Sequence, residues 1–388
     1  MKFKLIEDKM EILFFLIKVI NTLIPKSSQK IIFIARPDFA DNTKHFYTYL
    51  QEQKINKQLS WLIYDEEIFK LLIKNNHQNI FYIKSIRGIW QYLRSKIIIS
   101  SSSSLWQIKS PLQKQFDLWH GIPLKNVLCM GEKGTSVKRQ AGNITMRFAT
   151  SNLEKALLSA SFDFNAMKIM VTGQPRTDVL FNEANKLSIL LQNTQKKYSK
   201  IILYMPTYRS GFANKDEGTS FSLDNIFRMN NYNHKIFINY LEENNILFLL
   251  KLHPYEEKLY TNIHVGSNIK WITHKSLVEN NLDIHEILNQ VDILMTDYSS
   301  IYFDFLLLDR KIIFIPTDLD EYETSRGFEL EPYNFWTPGT KVYNQNSLQS
   351  EIKREDRSED KDNRKIIRDI MFKDQDNLSS QRVFKEIF

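Results

Sequence analysis

The sequence predicts an α/β protein built from two doubly wound, Rossmann-like parallel sheets. Short runs rich in isoleucine, phenylalanine and valine alternate along the chain with longer amphipathic segments, as is typical of parallel strands separated by helices. The chain has 388 residues, of which 43% are hydrophobic and 13% aromatic, enough to form two cores. Because one domain commonly holds about 100 to 200 residues, we expect two domains.

Eight strand-like runs are recognisable, four in each half of the chain. They are Lys30–Arg36, Ser60–Asp65, Asn79–Lys84, Lys96–Ser100, Lys200–Thr207, Ile246–Leu252, Asp292–Asp297 and Lys311–Pro316. A polar helical stretch near residues 182–198 separates the two groups. We therefore predict an N-terminal helix over residues 1-28, a first domain over residues 29-190 and a second over residues 191-388.

The segment TDYSSIYFD, residues 296–304, lies between an apolar run that predicts a buried strand and one that predicts a helix. Ser299 and Ser300 therefore fall where the strand ends and the helix begins. A helix N-terminus offers unpaired N–H groups and a partial positive charge, so two added hydroxyls would suit a phosphate or pyrophosphate. The alternative interpretation is that a serine here simply caps the helix. Three similar polar clusters elsewhere in the chain, and a weaker fourth, favour a bound ligand.

One of these clusters is WHGIPLK, in which His120 follows a short strand. Gly121 and Pro123 exclude a helix or a central strand, so His120 lies in a turn. Histidine titrates near neutral pH and can accept a proton from a hydroxyl, while Lys125 can hold an anion nearby. A surface histidine in a tight turn is the alternative interpretation.

Three further clusters follow strand-like runs. The motif KLHP places His253 at a strand end beside a proline, and PTYR places Thr207 and Arg209 at another. Arginine there is the preferred bidentate clamp for phosphate. A weaker cluster, GQPRTD, contains Arg176 and Asp178. Because ligands bind at the carboxyl ends of parallel strands, the clusters together predict a ligand cleft at that edge.

Taken in order, WHGIPLK, GQPRTD, PTYR, KLHP and TDYSSIYFD, followed by DLDEYE and Arg326-Gly327-Phe328, resemble the CDP-glycerol glycerophosphotransferase family. That family builds teichoic acids and related phosphate-linked capsule polymers. The resemblance implies a GT-B fold, with two Rossmann-like domains that face a cleft. It also implies that residues 29-190 form the acceptor side, that residues 191-388 bind a CDP-alditol donor, and that the last helix packs back on the first domain.

The resemblance further implies in-line attack at phosphorus: a hydroxyl of a lipid-linked saccharide or a growing poly(alditol phosphate) attacks CDP-glycerol, and CMP leaves. His120 is then the expected general base, and His253 the second catalytic histidine. The expected contacts to the donor phosphates are Thr207, Arg209, Asp297, Ser299, Ser300 and Arg326. The expected acceptor or supporting residues are Gly121, Pro123, Lys125, Arg176 and Asp178. Asp304 and Glu321 are weaker candidates.

The net charge of +7 and the pI near 9.1 predict an anionic partner. The sequence has no zinc-ligand spacing, RNP-type motif or helix-turn-helix signature, so nucleic acid is not the expected partner. A nucleotide donor, an anionic polymer and an anionic membrane surface account for the charge. The single cysteine, Cys129, excludes an internal disulfide. We expect no covalent cofactor and no bound metal, although a divalent ion paired with the pyrophosphate would fit.

The N-terminal segment Met10–Ile24 is apolar but shorter than the roughly 20 residues that a membrane span needs, and it contains Glu11 and Lys18. No small-residue cleavage site follows it, which argues against a signal peptide. The pattern predicts an amphipathic helix with a broad apolar side, which either lies in a membrane interface or packs on the first domain. The lipid-linked acceptors of the family favour the membrane, and hence a peripheral location at the cytoplasmic face of the cell membrane.

Three alternatives remain open from the sequence. The donor could be CDP-ribitol instead of CDP-glycerol. A different GT-B enzyme, such as a nucleotide-sugar glycosyltransferase of capsule synthesis or an epimerase, would also bind phosphates at a helix N-terminus. The HGIPLK motif, and hydrolysis assays that compare CDP-alditols with UDP-sugars, distinguish these enzymes from an alditol phosphate transferase. A non-catalytic membrane-associated scaffold would keep its function when His120 is replaced.

Overall fold

The computed structural model describes residues 2–101, 105–130, 143–182, 184–192, 196–208, 225–257 and 266–388. It contains two compact units, which are treated separately below. Unit 1 comprises Met1–His120, Glu132–Val179 and Asp376–Phe388, and unit 2 comprises Gly121–Gly131 and Leu180–Gln375. Residues 121–131 thus belong with the second half of the chain, which the local sequence pattern does not reveal because their partners lie about two hundred residues further on.

Thirteen strands are described. In chain order they are β1 Ser27–Ile34, β2 Gln58–Ile63, β3 Ile80–Tyr82, β4 Ser95–Ser100, β5 Lys114–Asp117, β6 Met146–Ala149, β7 Ile169–Val171, β8 Lys200–Tyr204, β9 Ile246–Leu250, β10 Ile269–Trp271, β11 Ile293–Thr296, β12 Lys311–Phe314 and β13 Thr340–Lys341. Each of the eight predicted runs overlaps one of them. The short strands β6, β10 and β13 were not predicted, because runs of two to four residues carry too little periodicity.

Sixteen α-helices are described. They are α1 Lys2–Leu23, α2 Asp41–Glu52, α3 Glu66–Lys74, α4 Ile86–Arg94, α5 Asn152–Phe162, α6 Leu187–Leu190, α7 His234–Glu243, α8 Pro254–Glu257, α9 His274–Glu279, α10 His285–Leu288, α11 Ile301–Leu306, α12 Leu319–Ser325, α13 Tyr333–Trp336, α14 Gln345–Lys353, α15 Ser358–Met371 and α16 Ser379–Ile387. Several start at the residue types that accept hydrogen bonds from a first helical turn. Asp65, Ser85 and Ser151, for example, cap α3, α4 and α5.

The sheet of unit 1 has seven strands in the order β3-β2-β1-β4-β5-β6-β7, and every described pairing is parallel. Its interior strand β1 is apolar, with Ile31–Ile34 fully buried, as expected for a strand covered on both faces. The strand order reverses between β1 and β4. In a doubly wound sheet the connections diverge at such a point, which leaves a crevice at the carboxyl ends of the two strands.

The sheet of unit 2 has six strands in the order β10-β9-β8-β11-β12-β13, again with every described pairing parallel. The order reverses between β8 and β11. Its core includes Phe227, Phe237 and Phe248, whose rings meet edge to face at centroid distances of 5.1 to 6.0 Å. The loops that follow β8, β9 and β11 carry the motifs PTYR, KLHP and TDYSSIYFD, as the sequence predicts.

The C-terminal helix α16 belongs to unit 1 and begins without a side-chain cap of its own. Asp178 supplies one from a distant part of the chain, because its carboxylate accepts hydrogen bonds from the N–H groups of Ser379, at 2.9 Å, and Ser380, at 2.8 Å. Arg382 donates to the carbonyl oxygen of Thr172 at 2.7 Å. Gly173, with φ of +80°, passes so close that an added Cβ would lie 2.4 Å from the Ser379 hydroxyl. The GQPRTD motif therefore anchors the C-terminus.

The N-terminal helix α1 presents its apolar residues outward. Phe15, Leu16 and Ile20 are 64%, 52% and 55% exposed, whereas Asn21 is fully buried. The Asn21 amide donates to the carbonyl oxygen of Ile108 at 2.8 Å and to the Gln113 side chain at 2.9 Å. Asn21 thus anchors the inward side of α1, on which Phe14 and Ile17 are half-buried. Among the described residues, no helix combines the length and apolarity that crossing a bilayer requires.

Candidate active site

The loop that carries His120 leaves the carboxyl end of β5 in a strained conformation. Trp119 has φ of +55°, a region that bulky residues avoid. Its N–H donates to the carboxylate of Asp117 at 3.0 Å, and Asp117 in turn pairs with the buried Arg147 at 2.7 Å. The next glycine, Gly121, has φ of +151°. Strain that the surrounding contacts enforce is common at functional loops, and here it fixes the direction in which His120 leaves the strand.

The His120 ring has a defined tautomer. Its Nδ1 lies 3.2 Å from the carbonyl oxygen of Ser101, the residue after β4. A carbonyl oxygen only accepts hydrogen bonds, so Nδ1 carries the proton and Nε2 of the neutral ring is left as a proton acceptor. The residue remains exposed. Ser101 and His120 thus meet at the edge of β4 and β5, next to the reversal of strand order.

The surroundings keep His120 neutral. Removal of water by the neighbouring protein lowers the pKa of the imidazole, and the positive charge of Arg176 acts in the same direction. The carboxylates of Asp41 and Asp117 and the Ser101 carbonyl oppose this shift and raise the pKa, but dehydration is the larger effect. The residue keeps an exposed surface although it is dehydrated on the protein side. At pH 7 the ring is therefore unprotonated, which is the state that a general base requires.

Arg176 supports this loop from the GQPRTD motif. It is 3% exposed, and its Nη1 donates both to the Asp41 carboxylate at 2.8 Å and to the carbonyl oxygen of His120 at 2.7 Å. Among the predicted residues of unit 1, the structure thus brings Arg176 and His120 together. Asp178 lies two residues on and points to α16 instead.

In unit 2, Asp297 joins two of the predicted loops. It is 1% exposed, and one carboxylate oxygen accepts hydrogen bonds from the N–H groups of Thr207, at 2.7 Å, and Tyr298, at 2.5 Å. The PTYR turn and the TDYSSIYFD turn are therefore held side by side at the point where the strand order reverses. Arg209, the predicted phosphate clamp, lies outside the described residues.

Ser299 and Ser300 occupy the predicted transition from strand to helix. β11 ends at Thr296, and α11 begins at Ile301. Both serines are half-buried, and Ser300, although it stands at the N-cap position, makes no side-chain hydrogen bond to the first turn of α11. The plain N-cap role is therefore not what this hydroxyl does. Further along α11, Asp304 is buried and lies 3.2 Å from Nε2 of His285, so it orders that helix.

His253 follows β9, is exposed, and stacks on the ring of Tyr208 with a centroid distance of 5.1 Å. Beside it, the ammonium of the buried Lys251 contacts the Glu257 carboxylate at 2.5 Å and the Leu252 carbonyl at 2.8 Å. The KLHP turn is thus fixed by a buried ion pair. Tyr208 comes from PTYR, so these two motifs also meet within unit 2.

The segment after His120 pairs with the motif Arg326-Gly327-Phe328. Lys125 and Phe328 form an antiparallel bridge, flanked by a hydrogen bond from Asn126 N to Gly327 O at 3.1 Å. Gly327 has φ of +69°, and an added Cβ would lie 2.5 Å from the Asn126 amide nitrogen. The predicted Lys125, Gly121 and Pro123 therefore belong to unit 2, whereas His120 belongs to unit 1.

An aromatic cluster links the unit 2 motifs, and sequence analysis missed it. Tyr298 stacks on Tyr322 at a centroid distance of 4.1 Å and contacts Phe328 and Tyr333, both at 5.6 Å. The Tyr298 hydroxyl donates to Asp318 at 2.9 Å. The available signal was that TDYSSIYFD, DLDEYE and Arg326-Gly327-Phe328 each contain at least one aromatic residue. The cluster fixes these loops around the donor-side residues of the prediction.

The two parallel sheets, with polar loops at the carboxyl ends of their strands, define an α/β protein of the GT-B-like fold class. The family model described as CDP-Glycerol:Poly(glycerophosphate) glycerophosphotransferase matches residues 16–388, and the chain belongs to that family. Both the family and the fold class predicted from the sequence are confirmed. The family and its relatives indicate an enzyme that transfers an alditol phosphate in teichoic acid synthesis.

Two curated relatives and one solved structure illustrate the similarity. The teichoic acid ribitol-phosphate polymerase TarK of Staphylococcus aureus (strain NCTC 8325 / PS 47) is 26% identical over 382 residues, covering 94% of this chain and 69% of TarK. A teichoic acid glycerol-phosphate transferase of the same strain is 26% identical over 379 residues, covering 90% of each chain. A solved structure of the wall teichoic acid polymerase TagF superposes with a TM-score of 0.76 at 21% identity, over 99% of this chain and 94% of the chain in that structure. The TagF match supports the fold, and the relatives include both glycerol and ribitol enzymes.

Proposed function

We propose that the protein transfers glycerol phosphate from CDP-glycerol to a hydroxyl of a lipid-linked saccharide or a growing poly(alditol phosphate), with release of CMP. The observation that carries the proposal is the contact of 3.2 Å between Nδ1 of His120 and the carbonyl oxygen of Ser101, which leaves Nε2 as the proton acceptor. A base with an available Nε2 is what activation of an acceptor hydroxyl needs. Solved structures of TagF include a soak with CDPG, in line with a CDP-alditol donor.

In the proposed reaction, the acceptor oxygen forms a bond to the β-phosphorus of CDP-glycerol while the bond from that phosphorus to the CMP oxygen breaks. The proton of the acceptor hydroxyl passes to Nε2 of His120. The negative charge that develops on CMP is stabilised in unit 2 by Ser299, Ser300, Thr207 and His253, with Arg209 and Arg326 as further phosphate contacts. Asp297 has a supporting role, because its carboxylate holds the N–H groups of Thr207 and Tyr298.

The test is a direct assay of CMP release. The protein is incubated with CDP-glycerol, CDP-ribitol or a UDP-sugar, each with and without a lipid-linked saccharide acceptor and with either Mg²⁺ or EDTA. We expect acceptor-dependent CMP release with CDP-glycerol. Faster release with CDP-ribitol would make the protein a ribitol phosphate transferase, and turnover of the UDP-sugar alone would replace the proposal with a glycosyltransferase. The EDTA arm decides whether a divalent ion takes part.

We also infer that the protein binds the cytoplasmic face of the cell membrane through α1. In the part of this helix whose burial is described, residues 12–23, seven large apolar residues are exposed, among them Leu23 at 78% and Ile12 at 61%. The inward side of the helix is held by the buried Asn21. An outward apolar face suits a membrane interface, and the net charge of +7 adds attraction to anionic lipids. A lipid-linked acceptor would then be reached from the membrane surface.

A further inference from the structure

Asn42 lies at the start of α2, in a part of the chain where the sequence shows no recognisable motif. It is fully buried, and its side chain bonds to residues outside its own helix. The amide nitrogen donates to the carbonyl oxygen of Leu118 at 3.2 Å and to that of Trp119 at 3.0 Å. The amide oxygen accepts the N–H of Arg176 at 3.1 Å. One side chain therefore connects the loop before His120 to the GQPRTD motif.

Together with Arg176, Asn42 holds three consecutive carbonyl groups of this loop. The Asn42 amide donates to the carbonyl oxygens of Leu118 and Trp119. The Arg176 guanidinium donates to that of His120 at 2.7 Å. The middle residue, Trp119, has φ of +55°. A loop in that conformation relaxes unless its neighbours hold it, and relaxation would turn the His120 ring away from the Ser101 carbonyl.

We propose that Asn42 is a positioning residue, which sets the orientation and tautomer of His120 for proton transfer. The inference rests on the proposed function, in which His120 is the general base. The residue type matters, because only an amide offers two donor hydrogens to carbonyl groups and one acceptor oxygen to an N–H. Aspartate has the same size but would set a carboxylate against two carbonyl oxygens, and alanine removes all three hydrogen bonds.

The first test compares Asn42→Ala and Asn42→Asp with the wild type in the CMP-release assay. We expect kcat to fall about 10- to 100-fold, the usual effect of a small misplacement of a reacting group, with KM for the CDP-alditol changed less than about twofold because α2 belongs to unit 1. Gln113→Ala is the matched control: Gln113 is also a buried amide of unit 1, and it also donates to two carbonyl oxygens, those of Tyr92 and Ser95. A folded Asn42→Asp protein with normal kcat would overturn the inference.

A double-mutant cycle separates positioning from a general loss of structure. If Asn42 acts through His120, then Asn42→Ala should cause little further loss of kcat in a His120→Ala background. Equal losses in both backgrounds would show that Asn42 serves the fold alone. If the wild-type protein releases no CMP, the proposed function is contradicted. The role of Asn42 is then tested by the tautomer of His120, which does not require turnover.

The tautomer of His120 is measurable without turnover. NMR of the ring nitrogens should show Nδ1 protonated in the wild type and a mixture of tautomers in Asn42→Asp, since the contact with the Ser101 carbonyl is lost. The Gln113→Ala control should match the wild type. An unchanged His120 tautomer in both Asn42 variants, with native melting temperatures, would rule out a positioning role.

Discussion

Arg176 donates a hydrogen bond from Nη1 to the carbonyl oxygen of His120 over 2.7 Å, and from the same nitrogen to Asp41 over 2.8 Å. The three residues come from the loop after β7, the loop after β5 and the start of α2. They meet because all three loops leave the carboxyl edge of one parallel sheet. The proposed base, His120, is therefore held by residues far from it in sequence. Changes at those residues, as well as at His120 itself, should alter its activity.

Replacement of the base should abolish most turnover. His120→Ala should lower kcat at least about 100-fold, the usual contribution of a general base, and leave binding of CDP-glycerol unchanged because the donor-side residues lie in unit 2. Single-turnover assays and calorimetry measure the two quantities. His234→Ala, which removes a histidine outside these loops, is the control. Near-normal turnover of His120→Ala at saturating donor would show that another group takes the proton.

The pH profile should report the environment of His120. Dehydration lowers the pKa of His120, so the acid limb of kcat/KM should lie below the pH at which an ordinary histidine titrates. The Asp41 carboxylate opposes this and raises the pKa. Asp41→Asn should therefore lower the pKa further and move the acid limb to lower pH, because the base is active when unprotonated. An acid limb that stays in place or moves upward would refute the assignment.

The two serines before α11 should contribute to donor binding. Ser299→Ala combined with Ser300→Ala removes two hydroxyl donors, each worth about 0.5 to 1.5 kcal/mol. We expect weaker binding of CDP-glycerol in calorimetry. Ser358→Ala, at an exposed serine of unit 2, should bind normally. Unchanged affinity of the double variant would remove the serines from the donor site.

Asp178 should contribute to stability rather than to chemistry. Asp178→Ala leaves the N–H groups of Ser379 and Ser380 without their cap and should cost about 1 to 2 kcal/mol in the free energy of unfolding. Chemical denaturation measures this loss, and hydrogen exchange should show early opening of α16. Asp362→Ala, at an exposed aspartate within α15, should change stability little. If Asp178→Ala were as stable as the wild type but had lost acceptor binding, Asp178 would belong to the acceptor site instead.

The outward face of α1 should carry membrane binding. Each of Phe15, Leu16, Val19 and Ile20 would contribute at most about 1.5 to 3 kcal/mol on burial in an interface. Replacing all four with aspartate should abolish sedimentation with anionic vesicles and leave the melting temperature unchanged, since all four are exposed. Wild-type binding should weaken as salt rises. If the wild type does not bind vesicles and the variant has a lower melting temperature, this face of α1 packs on protein instead of on a membrane.

The choice of these four residues depends on the structure. The helical pattern of the sequence makes Leu13, Phe14 and Ile17 an equally good apolar set. In the structure, Phe14 and Ile17 are half-buried, so changing them would affect stability as well as binding. The direction in which a helix turns its faces depends on the surface that it meets, and no local pattern encodes that surface.

Local patterns were sufficient for the fold class, for most of the strands and for the location of the polar motifs. Apolar runs bounded by glycine, proline and polar residues determine where strands end, and the ends of β5, β8, β9 and β11 carry the predicted clusters. The strand-to-helix transition at Ser299 and Ser300 was readable for the same reason. Each of these features depends on residues within about ten positions of one another, so the sequence alone determines them.

The tertiary structure decided which residues support the motifs. Asn42 and Arg176 hold the His120 loop, Asp178 caps a helix two hundred residues later, and Lys125 pairs with Phe328. Each contact joins segments brought together by the order of strands in a sheet or by a long return of the chain. Hydrogen bonds of this kind have no signature in local composition, because a buried amide or carboxylate looks the same in sequence whichever carbonyl or N–H group the folded chain places beside it.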